Sequence, residues 1–216
     1  MVFMGKDDMV IMALPVKTLF SLYPLFEGFQ ADDAFDFESH IIKHHLYGRR
    51  GDLEIDATHK HPIPYVLIVN SQKGLVYAYQ RSSNKTEAHE SRLHGKWSWG
   101  VGGHVEQVDG VDKNPIRFCL EREVDEEVQI NGNISSISLL GYINNSDPVG
   151  LVHFGILYLL ETDAVEVSPA DKEMKQGKFM CLSELEEICV SPDCTVEAWS
   201  QIALDPLKRY FASLQH

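Results

Sequence analysis

Basic residues are scarce in this chain: 19 Lys and Arg stand against 32 Asp and Glu, a formal net charge of -13. A protein that tracks a phosphate backbone needs a basic face, so a nucleic-acid polymer is not expected as a partner. A small phosphorylated ligand stays open, because a bound cation reverses the local field. Cysteine is sparse too. Cys119, Cys181, Cys189 and Cys194 form no CxxC pair, which argues against a zinc ribbon and leaves reduced thiols as the expectation. No long hydrophobic run is present. The stretch from Met9 to Pro15 is too short to span a bilayer, and Asp7 and Asp8 precede it where a secretory signal would be cationic. The expectation is a cytoplasmic protein without membrane association. Internal repeats, low-complexity tracts and an evident linker are also lacking. With 216 residues, 44% hydrophobic and 24% charged, the composition fits one globular domain, with or without an elaborated terminus.

What is there centres on residues 102–130, GGHVEQVDGVDKNPIRFCLEREVDEEVQI. Asn114 and Pro115 suit a helix start, as N-cap and first helical residue, and Asn131-Gly132 suits a helix stop. Between them Leu120, Val124 and Val128 recur every four residues as a core stripe. Residues three and four apart share a helical face, so Glu123, Glu126 and Glu127 project together. An acidic helical face is ordinarily solvated surface. Three crowded carboxylates are also what a hard divalent ion such as Mg²⁺ takes as ligands.

The segment resembles the signature of Nudix (MutT-like) hydrolases, G-x5-E-x7-R-E-U-x-E-E-x-G-U with U aliphatic. Gly103 matches the first Gly, and Arg122, Glu123, Val124, Glu126, Glu127 and Ile130 match the second half. There are departures. Asp109 stands where the first Glu belongs, twelve residues rather than seven separate it from Arg122, and Gln129 replaces the late Gly. The extra residues around Gly110 to Lys113 read as a lengthened loop, which costs little entropy.

Residues 1–60 lie outside the resemblance and read as an N-terminal extension, with residues 61–216 as the Nudix hydrolase domain. In the extension Val10 to Leu14 suits a strand, Lys17 to Phe29 is aromatic-rich, and Phe35 to Tyr47 suits a helix carrying His40, His44 and His45. Those histidines fit exposed or hydrogen-bonded positions better than a metal site. Arg49, Arg50, Asp52 and Glu54 read as a charged loop. The segment could cap the core, contribute substrate contacts or act as a dimer arm, which leaves a homodimer open.

Beyond it, Tyr65 to Val69 and Leu75 to Gln80 flank a turn at Ser71 to Gly74 and predict a hairpin. Arg81 to His94, including Glu90-Ser91-Arg92-Leu93, is polar and reads as a loop. Trp97 and Trp99 alternate with Ser98, placing both rings on one side of a strand; they either pack in the core or line the cleft and stack on a planar group. Ser136 to Asn145 and Val152 to Glu161 read as strands around a turn at Ser146 to Gly150, and Lys178 to Leu182 as a short strand before a capped helical turn at Ser183 to Glu187. Thr195 to Leu214 reads as a final helix, with Val196, Trp199, Ile202, Ala203, Leu207 and Phe211 as an amphipathic stripe broken near Pro206. The expected fold class is α/β (α+β), and the resemblance implies an α/β/α sandwich around a mixed sheet.

The resemblance further implies hydrolysis of a diphosphate bond in a nucleoside diphosphate linked to another moiety, by metal-activated water. The main-chain carbonyl of Gly102 and the carboxylates of Glu123, Glu126 and Glu127 would hold Mg²⁺, or alternatively Mn²⁺. Glu123 is the first choice of base, Arg122 would orient a catalytic Glu by an ion pair, and Asp109 would take the structural part of the first Glu. Gly103, His104, Trp97 and Trp99 are the candidate substrate contacts. His104 could instead be fixed by backbone hydrogen bonds. Asp147, Glu161 and Asp163 are further candidate acids, and His153 is expected to be packed. Two rival functions remain: a catalytically silent ligand-binding module, and an isomerase of the isopentenyl-diphosphate type. The second would need a cysteine on a strand, whereas Cys119 sits on the predicted box helix.

Overall fold

The computed structural model describes residues 5–83, 93–110 and 114–214. Its elements, in chain order, are β1 (Val10–Pro15), α1 (Val16–Leu19), β2 (Gly28–Ala31), α2 (Phe37–His44), β3 (Leu46–Arg49), α3 (Arg50–Leu53), β4 (His59–Asn70), β5 (Leu75–Arg81), β6 (Trp97–Ser98), α4 (Pro115–Glu127), β7 (Val128–Ile130), β8 (Ile134–Asn144), β9 (His153–Thr162), β10 (Val167–Pro169), β11 (Met174–Cys181), α5 (Leu182–Val190) and α6 (Ala198–Ser213). Hydrogen-bonded neighbours follow the order β11-β5-β4-β9-β8-β2, with β1 on β3 and β4, and β6 on β5. The fold is mixed α+β, as expected. Most of the expected loop at Arg81 to His94 and the centre of the expected insertion, residues 111–113, lie outside the described residues.

The described chain forms two compact units. The first gathers the residues through Tyr65 with Gly102–Arg122 and Gly141–Leu157. In it β1 runs antiparallel to β3, from Val10 opposite Arg49 to Ala13 opposite Leu46, and continues onto β4 at Leu14 opposite Lys60. The strand expected at Val10 is present and is the scaffold of this unit, since Ile11, Met12, Ala13 and Leu14 are buried. The aromatic-rich stretch supplies Phe20 and Phe26, whose rings meet Phe37 and Phe154 edge-on or tilted at centroid separations of 5.9 to 6.1 Å. Such arrangements suit the ring quadrupoles.

One helix is shorter than expected. α2 starts at Phe37, capped by Asp36, whose side chain accepts from the Ser39 amide, and it stops at His44. Leu46 to Arg49 then pairs with β1 instead of extending the helix, because that register satisfies the backbone groups of both segments at once. The stretch expected as a charged loop is therefore the end of β3 plus α3, held by Arg49–Asp8 and Arg50–Glu54 ion pairs. His40 bonds the Thr18 carbonyl through Nε2 and His45 the Ile42 carbonyl through Nδ1, so both are hydrogen-bonded.

The second unit holds Val66–Val101, Glu123–Leu140 and the residues from Tyr158 onward. Its hairpin turn is closed by Asn70, which accepts from the Lys73 amide, and by Gly74 at φ +67°, a left-handed conformation that glycine adopts without strain. β11 pairs with β5 along its length, from Met174 opposite Arg81 to Cys181 opposite Leu75, so this strand is longer than the one expected at Lys178. α5 opens on a capping box between Cys181 and Glu184. α6 is the expected last helix and runs through Pro206, which is itself buried. Trp199, Ala203, Leu207 and Phe211 line its buried side.

The box helix α4 begins where predicted. Asn114 accepts from the Arg117 amide at 3.0 Å, and Leu120, Val124 and Val128 are buried. Its end differs. The helix stops at Glu127, and Val128 to Ile130 form β7, antiparallel to Pro169 to Val167. A β-branched residue at each end of β7 favours extended backbone, and the pairing with β10 satisfies it before Asn131-Gly132 is reached.

Candidate functional site

In the first unit the glycine-rich turn is held at close quarters. A Cβ on Gly102 would lie 1.9 Å from the Pro64 carbonyl oxygen, so no other residue fits there without moving the backbone. The neighbouring His104 carbonyl accepts from Arg122 Nη2 at 3.1 Å and from the Cys119 thiol at 3.3 Å, and that thiol also lies 3.8 Å from the Gly103 carbonyl. Cys119 is fully buried and its role is to pack this turn. The Val105 carbonyl accepts from the Met12 amide, which ties the same turn to β1.

Asp109 and Arg122 meet in this unit. Arg122 donates from Nε to Oδ1 and from Nη2 to Oδ2, both at 3.0 Å. Asp109 is buried and its Oδ2 also accepts from the Glu106 amide at 2.7 Å. A two-pronged guanidinium–carboxylate pair fixes orientation as well as charge. Arg122 further lies 3.8 Å from Glu106.

His104 points its ring into a buried group. Its Nε2 is 3.2 Å from His61 Nδ1 and 3.2 Å from His153 Nε2, and 3.6 Å from Glu54 Oε1. Burial, reinforced by nearby Arg50, holds the His104 imidazole neutral well below the usual histidine range. Burial also pushes His61 down to about 3. His153 is packed, as expected, with its Nδ1 2.6 Å from the Val149 carbonyl. Neither His61 nor Glu54 is distinguishable in sequence as a site residue. The four positions are scattered over a hundred residues, and no spacing rule links them.

In the second unit the three box glutamates occupy one side of α4. Glu126 is exposed and Glu123 half-buried. Part of Glu127 reaches solvent, but its Oε2 is fully buried and has no hydrogen-bond partner among the described residues. Burial pushes the Glu127 carboxyl up to about 8; the Arg81 guanidinium pulls the other way, and Glu123, Asp171 and Glu173 add to the rise. Arg81 is itself engaged by Glu197 and Glu173 and stacks on the Tyr79 ring. Buried carboxylate oxygen without a partner is costly. A divalent cation on this face would supply what the protein does not, so the residues present fit one.

Trp97 is half-buried at the β6 edge, its amide bonded to the Thr195 carbonyl. Trp99 is enclosed at 1% exposure, which places that ring in the core. Of the further acids, Asp147 is occupied in its own turn, accepting from the Val149 and Gly150 amides. Glu161 and Asp163 border a cleft of about 350 Å³ with Asn133, Ser135 and Tyr210. There Tyr210 donates to Glu161, and Asn133 donates to Asp163, holding that carboxyl low.

Comparison with known proteins adds two close likenesses. Protein YmaB of Bacillus subtilis (strain 168) is 35% identical over 213 residues, covering 95% of this chain and 100% of that protein. Tm1382, a candidate Nudix hydrolase, superposes with a TM-score of 0.75 at 28% identity, over 93% of this chain and 99% of its own. The chain belongs to the Nudix family. No family model matches the sequence. The Nudix domain of Shewanella oneidensis NrtR, crystallised with ADP-ribose, shares the fold at 13% identity and a TM-score of 0.52, over 70% of this chain and 88% of that one. The chain is thus a Nudix-type hydrolase whose box acid is an aspartate.

Proposed function

We propose that this Nudix hydrolase is a Mg²⁺-dependent pyrophosphohydrolase that cleaves the diphosphate bond of a nucleoside diphosphate linked to another moiety, with Mn²⁺ as an alternative ion. The observation that carries the reading is the unpartnered, buried Oε2 of Glu127 on the acidic side of α4. Glu123, Glu126 and Glu127 are the residues that would hold the ion. When bound, such an ion lowers the pKa of water and neutralises charge on attacking and leaving oxygens. Glu123 is assigned as the base. Arg122 and Asp109 are positioning residues: their paired contacts fix the His104 carbonyl and the first turns of α4. Trp97 offers a ring face to a base or other planar group. The Nudix domain of NrtR was crystallised with ADP-ribose, which makes that compound the first substrate to try.

The test is a substrate panel with the full chain in Mg²⁺: ADP-ribose, sugar nucleotides, dinucleoside polyphosphates, nucleoside triphosphates and isopentenyl diphosphate. Turnover of a nucleoside diphosphate derivative, lost in Glu126→Gln and Glu127→Gln, is the expected result. Binding without product release would establish the silent module instead, and conversion of isopentenyl diphosphate alone would establish the isomerase. Full activity in both glutamine variants would remove the metal assignment.

A further inference from the structure

We infer that Glu54, His61, His104 and His153 form a second metal site, separate in chemistry from the glutamate face and suited to a four-coordinate transition ion, Zn²⁺ above all. The four side chains each offer one donor atom, and these atoms all lie within 4.8 Å of one another. Individual separations are 3.2 Å from His104 Nε2 to His61 Nδ1 and to His153 Nε2, 3.6 Å from His104 Nε2 to Glu54 Oε1, and 4.0 Å from His153 Nε2 to Glu54 Oε1. Zinc–nitrogen and zinc–oxygen bonds of about 2.0–2.1 Å in a tetrahedron put adjacent donors about 3.3 Å apart. The group is therefore near the size of that coordination shell before any ion enters.

The three rings turn nitrogen atoms toward one another. His153 directs Nδ1 at the Val149 carbonyl at 2.6 Å, so in the neutral ring that nitrogen carries the hydrogen and Nε2 presents a lone pair to the centre. His104 Nε2 lies equally close to two ring nitrogens. In the neutral group a proton on His104 Nε2 would serve the His153 contact; a cation at the centre would take its place and be shared by the three rings. The Val149 carbonyl behind His153 is the outer partner that metal-bound imidazoles ordinarily have. Arg50 bonds Glu54 Oε1 through Nε at 3.2 Å, so the oxygen offered to the ion is also the one that Arg50 holds in place.

The donor set decides the class of ion. Three imidazoles and one carboxylate suit zinc and its neighbours, whereas Mg²⁺ takes oxygen ligands and suits the glutamates of α4. Four protein ligands leave no open position, which marks a structural site. Its effect falls on the glycine-rich turn. The His104 carbonyl is held by Arg122 and Cys119, and the ion would hold the side chain of the same residue.

The experiment uses the untagged full chain, stripped of metal and titrated with Co²⁺ in excess Mg²⁺. Expected are one equivalent bound, the intense visible absorption of four-coordinate cobalt, its replacement by Zn²⁺, and a rise in Tm on zinc binding. The absorption should vanish in His61→Asn and His153→Gln and persist in Glu126→Gln. No visible absorption from wild-type protein at stoichiometric cobalt would overturn the site. So would a spectrum unchanged in folded His61→Asn and His153→Gln. Should both histidine variants fail to fold, the wild-type spectrum and its zinc content by mass spectrometry decide alone.

Discussion

Arg122 grips Asp109 with two parallel hydrogen bonds of 3.0 Å, across twelve intervening residues of which the last eight belong to the chain leading into and along α4. An aspartate therefore stands where the Nudix signature has glutamate, and the geometry shows no loss of reach. Breaking a buried pair of this kind leaves an uncompensated charge. Asp109→Ala should cost about 3 kcal/mol, read from urea unfolding, and Arg122→Lys should lose much of the same stability, because a lysine offers no second prong. A variant pair as stable as wild type would show that the contact does not hold the turn.

Two glycines separate close approach from backbone conformation. Gly102→Ala forces a Cβ to 1.9 Å from a carbonyl oxygen, and overpacking of that order costs about 1–3 kcal/mol while displacing the turn. Gly74→Ala meets nothing within 4 Å and carries only the strain of φ +67°, about 1 kcal/mol. Thermal melts should rank Gly102→Ala below Gly74→Ala, and hydrolase activity should fall only in the former.

Glu127 sets a pH dependence that metal should erase. Its folded carboxyl is pushed up from 4.5 to about 8. Through that interval the native protein keeps a proton that the unfolded chain has lost, so stability of the metal-free protein declines as pH rises from about 5 to about 8. Mg²⁺ binds the ionised form and should reverse the decline, by mass action on the native state. Unfolding curves across this range, with and without Mg²⁺, test it. Glu127→Gln should flatten the metal-free slope and abolish the Mg²⁺ effect.

Trp97 and Trp99 should part company. Trp99→Ala opens a cavity in the core and should lose about 3–5 kcal/mol. Trp97→Ala should change stability less and raise KM for a nucleoside substrate, since base–aromatic stacking is worth about 1–3 kcal/mol. Equal effects on unfolding, with KM unmoved, would place both rings in purely structural roles.

The parts legible in the sequence are those governed by local rules. The start of α4 was readable because Asn-Pro caps a helix through contacts within three residues, and its core stripe because burial follows the helical period. The hairpin before Val76 was readable from its turn. The end of α4 was not, because Val128 to Ile130 choose strand through a partner at Val167 to Pro169 that nothing nearby announces. Leu46 to Arg49 misled for the same reason, their partner being β1. The histidine cluster is the extreme case. Glu54, His61, His104 and His153 come together only once three separate stretches of the first unit have folded.

The thiol of Cys119, sealed at 0% exposure against the His104 carbonyl while Cys181, Cys189 and Cys194 all remain partly accessible, makes the protein its own reporter. An alkylating reagent should modify three sulfurs promptly and the fourth only when the bend ahead of α4 comes undone, so the lag of that last adduct times how often the loop lets go.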